Sequence, residues 1–120
     1  MAEKGIVMKE TNREIAKRIQ QYNKEFLKEG PVVALVLEGN HAIELIRKLV
    51  GTTETRQATP GTIRGDFGYD SYMVADDEKR TVRNLIHASS SVSEANREIT
   101  LWFTTEEIYN YAHRKDKGIY

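Results

Sequence analysis

The residues able to do chemistry gather around one imidazole and one loop. His87 stands in Asn84-Leu-Ile-His-Ala-Ser-Ser-Ser-Val, at the end of an apolar run and just before a serine-rich helix start. A histidine on a strand is more often structural than reactive, but this context favours reactivity. A helix N-terminus offers free N–H groups and positive partial charge to an incoming anion. Glu98, on the helix that follows, can accept one ring N–H and fix the tautomer, which leaves the other nitrogen bare to act as a nucleophile. Asn84 and Ser89 can hold polar atoms of a substrate or orient the ring.

The loop is 51–67, Gly-Thr-Thr-Glu-Thr-Arg-Gln-Ala-Thr-Pro-Gly-Thr-Ile-Arg-Gly-Asp-Phe. Hydroxyls, N–H groups opened by glycines and two guanidinium groups suit an oxyanion such as phosphate. Alone this signal is weak, because surface loops rich in Gly and Thr are common. A loop of this length in a compact domain is uncommon and often functional. His41 and His113 have no partner at metal-ligand spacing, and no second or third ligand stands near His87 in the sequence. We therefore expect no protein-held metal.

Composition narrows the class. Eighteen basic and eighteen acidic residues cancel over 120 residues, which argues against a nucleic-acid or anionic-membrane partner. With no cysteine, disulfides and thiolate metal sites are excluded. The longest apolar run, 32–37, is far too short to span a bilayer, and the first residues lack a secretory apolar core. A cytoplasmic protein is expected.

These residues need a scaffold. Residues 5–9 read as a short strand or extended lead-in. Thr11 and Glu14 have the form of a capping box, starting a helix whose face carries Ile15, Ile19, Tyr22, Phe26 and Leu27, with a stop at Gly30-Pro31. The run 32–37 reads as a strand buried on both faces. A helix over 41–50 places Ile43, Ile46 and Val50 inward and Arg47 and Lys48 outward. Residues 68–82 read as a surface helix with turns, and 83–88 as a second strand. Ser91 and Glu94 cap a helix that turns Ala95, Ile99 and Leu101 to the core, with Trp102 and Phe103 at its end in core or interface. Thr104 and Glu107 cap a last short helix. Strands alternating with helices predict one domain of the α+β or α/β type.

Several blocks together resemble one family. Gly-Pro-Val-Val-Ala-Leu-Val-Leu-Glu-Gly (30–39), Arg-Lys-Leu-Val-Gly-Thr-Thr (47–53), Thr-Pro-Gly-Thr-Ile-Arg-Gly-Asp-Phe (59–67), Arg-Asn-Leu-Ile-His-Ala-Ser (83–89) and Glu-Ala-Asn-Arg-Glu-Ile-Thr-Leu-Trp-Phe (94–103) are similar to nucleoside diphosphate kinases, in the family's order. The resemblance implies a ferredoxin-like antiparallel sheet covered by helices. It implies transfer of the terminal phosphate of ATP, or another nucleoside triphosphate, to a nucleoside diphosphate through a phosphohistidine, with Mg2+ accompanying the nucleotide. By motif, His87 matches the phosphorylated histidine, Glu98 the carboxylate that orients it and Ser89 a hydroxyl beside it. Arg47, Thr53 and Arg64 match side chains that grip phosphates, and Asn84 one that contacts the sugar and phosphate side. The loop near Pro60 resembles a subunit-contact loop, implying a homo-oligomer.

The chain departs from the family in two places. Ser90 stands where the family usually has Asp. The usual opening, with its first strands, phosphate-contacting lysine and base-holding aromatics, has no recognisable counterpart. Residues 1–30 then form an atypical helical lead-in, 31–104 the family-like core, and 105–120 a C-terminal helix and tail. Lys9, after Ile6-Val7-Met8, is the one candidate to imitate the missing strand and its lysine. Two functional expectations follow: an active kinase, or a truncated nucleotide-binding or assembly subunit with weak turnover. A nucleic-acid module has only the arginine-bearing loop behind it.

Overall fold

The computed structural model describes the backbone of residues 2–111 and the side chains of residues 13–111. The chain runs through helices α1 (Ala2–Leu27), α2 (Ala42–Val50), α3 (Ile63–Phe67), α4 (Tyr72–Asp77) and α5 (Val92–Trp102). Short 3-10 turns lie at Thr55–Gln57 and Thr105–Glu107.

α1 is longer than the capping signal predicts. Its 26 residues extend about 39 Å at 1.5 Å per residue. Residues 5–9 are helical, not a strand, and Thr11 lies inside the helix, not at its cap. A helix satisfies its N–H and C=O groups internally, whereas a short strand needs a neighbour to do so. The surrounding Glu, Lys, Met and Ala residues also favour helix. Lys9 is thus on a helix, and its side chain falls outside the described residues. Of the expected apolar face, Tyr22 and Phe26 are half-buried, while Ile15, Ile19 and Leu27 are exposed. Among the described side chains, it is the C-terminal end of α1 that touches the body, with Asn23 accepting from Thr81. The helix closes with i→i+3 bonds from Lys28 N to Glu25 O and from Glu29 N to Phe26 O, both 3.1 Å.

α2 follows the expected pattern: Val50 is buried, Ile43 and Ile46 are half-buried, and Arg47 and Lys48 are exposed. Its N-terminus is turned by His41 in a left-handed conformation (φ 55°) with no side-chain cap. Its C-terminus is closed by Gly51 at φ +90°, whose N–H bonds the Arg47 carbonyl at 3.1 Å. The stretch 51–67 is more ordered than a plain loop. It contains a 3-10 turn and α3, which Thr62 caps by accepting from Gly65 N at 3.0 Å while donating to Thr59 O at 2.6 Å.

Ser91 caps α5 by accepting from Glu94 N at 3.1 Å. The Glu94 carboxylate does not return to Ser91 as a full capping box requires; it takes the Ser90 N–H and hydroxyl, both at 2.5 Å. Ala95 and Ile99 are half-buried, but Leu101 is exposed, contrary to expectation. At Thr104 and Glu107 the capping box is complete, but the helix it starts is a single 3-10 turn.

The two expected strands are the main correction. Residues 31–38 and 81–89 are extended, yet no β-ladder forms among the described residues. A strand exists only when another supplies its hydrogen-bond partners, and the apolar run is not buried on either face: Val33 is 84% and Leu35 74% exposed. The core is correspondingly small. Among the described residues Val50, Ala75 and Val82 are its buried apolar members, and Thr55, Arg64 and Ser71 are buried too. The radius of gyration, 18.8 Å, exceeds the roughly 14 Å of a compact chain of this length.

Candidate active site

The segment 81–89 carries Asn84, His87 and Ser89 of the expected chemistry. It keeps the pleat of a strand without a partner strand: residues 84, 86 and 88 are half-buried, and 83, 85 and 87 exposed. His87 is therefore turned to solvent, its side chain 68% exposed. Its Nε2 lies 2.8 Å from Oε1 of Glu98, which stands on α5 and is 21% exposed. The second carboxylate oxygen of Glu98 accepts from the Ser89 hydroxyl at 2.6 Å. The Ser89 hydroxyl, and then the His87 ring, hold the Glu98 carboxyl below its ordinary pKa against the opposing effect of burial. An ionised Glu98 is an acceptor only, so the hydrogen on Nε2 faces it and Nδ1 is the bare nitrogen.

Both arginines reach the backbone on either side of this ring. Arg64 is buried. Its Nη2 donates to the Ile86 carbonyl at 2.6 Å, its Nη1 to Gly51 O at 3.0 Å, and its Nε to Asn84 Oδ1 at 3.0 Å. Arg47 donates from Nη1 to Ala88 O at 3.2 Å. Burial and then the Arg47 cation lower the pKa of Arg64, so the two guanidinium groups share one electrostatic neighbourhood. Arg64 was expected to grip phosphates; three of its N–H donors instead face protein oxygens. Asn84 likewise turns its carbonyl to Arg64. Thr53 is exposed in the bend after α2.

Glu94 is a residue that sequence reasoning used only as a cap. It joins His87 and Glu98 in a cluster whose ligand atoms all lie within 4.8 Å of one another. The expectation that no second and third ligand stands near His87 is thus corrected. Spacings of seven and eleven residues hid the cluster until the turn at 90–92 folded α5 back over 87–89. Hydrogen bonds to Ser90, by its hydroxyl and then its N–H, lower the Glu94 pKa. The carboxylates are thereby engaged by serines.

Sequence reasoning missed the half-buried hub at Asp70 altogether. Asp70 takes a fork from Arg80 at 2.6 and 3.1 Å and the Arg83 N–H at 2.7 Å, while its carbonyl accepts from the Thr55 hydroxyl. In the sequence it sits in a charged stretch indistinguishable from a solvated face. Among the described residues no helix is long and apolar enough to cross a membrane. His113 lies outside the described residues.

Comparison with known proteins places the chain among its relatives. A model of the family described as nucleoside diphosphate kinase matches residues 8–108. A nucleoside diphosphate kinase of Pyrobaculum aerophilum is 50% identical over 79% of this chain and 52% of its own length. One of Pyrococcus furiosus is 39% identical over 93% of this chain and 71% of its own. The chain spans about half the length of several curated relatives it matches. Among solved structures, an NDP kinase from Pyrobaculum aerophilum superposes with a TM-score of 0.79 at 48% identity, over 81% of this chain and 53% of that one. A Borrelia burgdorferi nucleoside-diphosphate kinase, solved as a transition-state mimic with bound vanadate and ADP, gives 0.60 at 44% identity, over 65% and 46%. These likenesses give the backbone the family's α+β architecture, though its sheet is not formed among the described residues. With the family model matched from residue 8 to residue 108, the chain belongs to the nucleoside diphosphate kinase family.

Proposed function

We propose that this chain performs nucleoside diphosphate kinase chemistry, moving the terminal phosphate of a nucleoside triphosphate to a nucleoside diphosphate through His87. The observation that carries the reading is the His87–Glu98 pair at 2.8 Å on an exposed ring. The lone pair of Nδ1 attacks the terminal phosphorus. A P–N bond forms, the bond to the bridging oxygen breaks, and the diphosphate leaves with that oxygen. The ring becomes a phosphorylated imidazolium, whose Nε2–H stays on the ring and donates to the ionised Glu98 carboxylate. A second diphosphate then takes the phosphoryl group by the reverse path.

Catalysis of this kind is mostly positioning and charge stabilisation. Arg47 and the remaining donors of Arg64 supply positive charge beside the ring, and Thr53 and Asn84 complete the phosphate side. Ser89 keeps Glu98 ionised. Magnesium belongs with the nucleotide: Mg2+ prefers oxygen ligands and several waters, and Glu94 and Glu98 are already hydrogen-bonded to serines. When bound, it neutralises phosphate charge.

The same reading includes a homo-oligomer acting in the cytoplasm. The exposed apolar run 32–37 supports assembly, since its unpaired edge and faces gain from a neighbouring chain. The family's antiparallel sheet would then form from strands contributed across that contact.

The test is incubation of the purified chain with γ-labelled ATP. Acid-labile label on the parent and none on His87→Ala is the expected outcome. Equal labelling of both removes His87 from the role.

A second reading, a nucleotide-binding or assembly subunit with little turnover, is favoured by one observation: Arg64 directs three donors to protein oxygens. It predicts nucleotide binding without transfer to a diphosphate. Measurable transfer by the pure chain rules it out.

A further inference from the structure

The segment 81–89 alternates half-buried and exposed side chains like a strand, and among the described residues no strand pairs with it. Within this chain its register is held by side-chain anchors. Thr81 donates to Asn23 Oδ1 at 2.5 Å, Arg83 N–H to Asp70 Oδ2 at 2.7 Å, Arg64 binds Asn84 and Ile86, and Arg47 binds Ala88 O. Register matters here because the side-chain period is two. A slip of one residue would carry His87 from the exposed face to the face now held by 84, 86 and 88.

Among these anchors, Asp70 is the one at the entry to the segment that is itself held from several directions. Its side chain is 10% exposed. Arg80 grips it with a two-pronged fork, at 2.6 and 3.1 Å, and Arg80 is in turn held by Glu78 at 2.5 Å and the Thr81 carbonyl at 3.0 Å. The Asp70 carbonyl is tied to the buried Thr55. Charge-assisted bonds of this kind are the strong ones, and this carboxyl titrates well below its ordinary range, chiefly through the Arg80 bond. Asp70 touches neither His87 nor Glu98. It can act on the ring only through the Arg83 amide and the backbone between.

We propose that Asp70 is a positioning residue that locks the register of 81–89 through the Arg83 N–H and so keeps His87 facing solvent and Glu98. The proposal rests on the reading of His87 as the phosphate acceptor.

The experiment pairs two readouts on the full chain carrying Asp70→Ala. Amide hydrogen exchange at Arg83 and Ile86 reads the anchor directly, and is expected to accelerate about tenfold, the effect of losing one charge-assisted bond. Phosphorylation of His87 is expected to slow by about ten- to a hundredfold, because small misplacements of a reacting group are costly, while KM for the nucleotide stays within about twofold. Unchanged exchange overturns the proposal, as does parent-like labelling of the variant where the parent chain itself labels. A rise in KM with kcat intact also overturns it, since that would place Asp70 in binding. If Asp70→Ala does not fold, Asp70→Asn keeps the shape and removes the charge; both readouts are expected to move in the same directions, and parent-like values in both overturn the idea. A parent chain that takes no phosphate sinks the kinase reading alone, and the exchange readout then decides the anchor by itself.

Discussion

Nε2 of His87 and Oε1 of Glu98 are 2.8 Å apart, and the other oxygen of the same carboxylate is held by Ser89 at 2.6 Å. One acid thus fixes a solvent-facing ring from a half-buried position. Replacing it by an amide keeps the shape but allows the wrong tautomer. Glu98→Gln is expected to slow His87 phosphorylation by at least about tenfold, the equivalent of one hydrogen bond to a charged group. Single-turnover labelling measures this, and a rate equal to the parent's would free Glu98 of the role.

The pH response of the same pair has a definite sign. The folded pKa of Glu98 is lowered from the ordinary 4.5, first by the Ser89 hydroxyl. Its contribution to stability is then complete above about pH 4.5 and is lost as pH falls through the lower folded value. Urea midpoints for the parent and Ser89→Ala should differ at pH 6 to 7 and converge in acid. A gap that widens on acidification contradicts this linkage.

Arg64 ties α2, the segment 81–89 and α3 together through Gly51 O, Ile86 O and Asn84 Oδ1. A lysine can carry the charge but not the fork. Arg64→Lys is expected to destabilise by about 2–4 kcal/mol, the usual cost of leaving buried polar partners unmet. Chemical denaturation measures it, and a change within experimental error would show that the buried bonds matter little.

Gly51 sits at φ +90°, where side chains are rarely tolerated, and a Cβ there would lie 2.6 Å from the Thr62 hydroxyl. Gly51→Ala is expected to cost about 1–3 kcal/mol and to move the carbonyl that Arg64 holds. Thermal unfolding gives the direct comparison. A variant as stable as the parent would mean that the turn relaxes freely.

The exposed faces of 32–37 make their own prediction. Val33 is 84% exposed and unpaired. If this surface drives assembly, Val33→Glu lowers the mass in solution measured by sedimentation, leaving helix content unchanged. An identical mass for parent and variant moves the assembly contact elsewhere.

Much of the local structure was legible because it depends on neighbours in the chain. The amphipathic α2, the cap of α5 by Ser91, the box at Thr104 and Glu107, and the stop before Gly30-Pro31 all follow from contacts within a few residues. The exposed His87 facing Glu98 was also legible, since both lie on adjoining elements joined by a short serine turn. The extent of α1 was not, because a Thr-Glu pair that looks like a cap is only a cap if the residues before it fail to be helical.

What the sequence determined by itself is family membership, the pairing of the His87 imidazole with the Glu98 acid, and several helix ends, such as the Ser91 cap of α5 and the close of α2 at Gly51. Tertiary structure alone decided that Arg64 spends three donors on protein oxygens, that Glu94 joins His87 and Glu98, that Asp70 accepts from the Arg83 N–H, and that 31–38 and 81–89 form no ladder among the described residues. The physical reason is separation along the chain. Strand pairing, burial and the partners of a long guanidinium depend on groups ten to fifty-eight residues away or on another chain, and no local pattern of residues encodes where those groups will be.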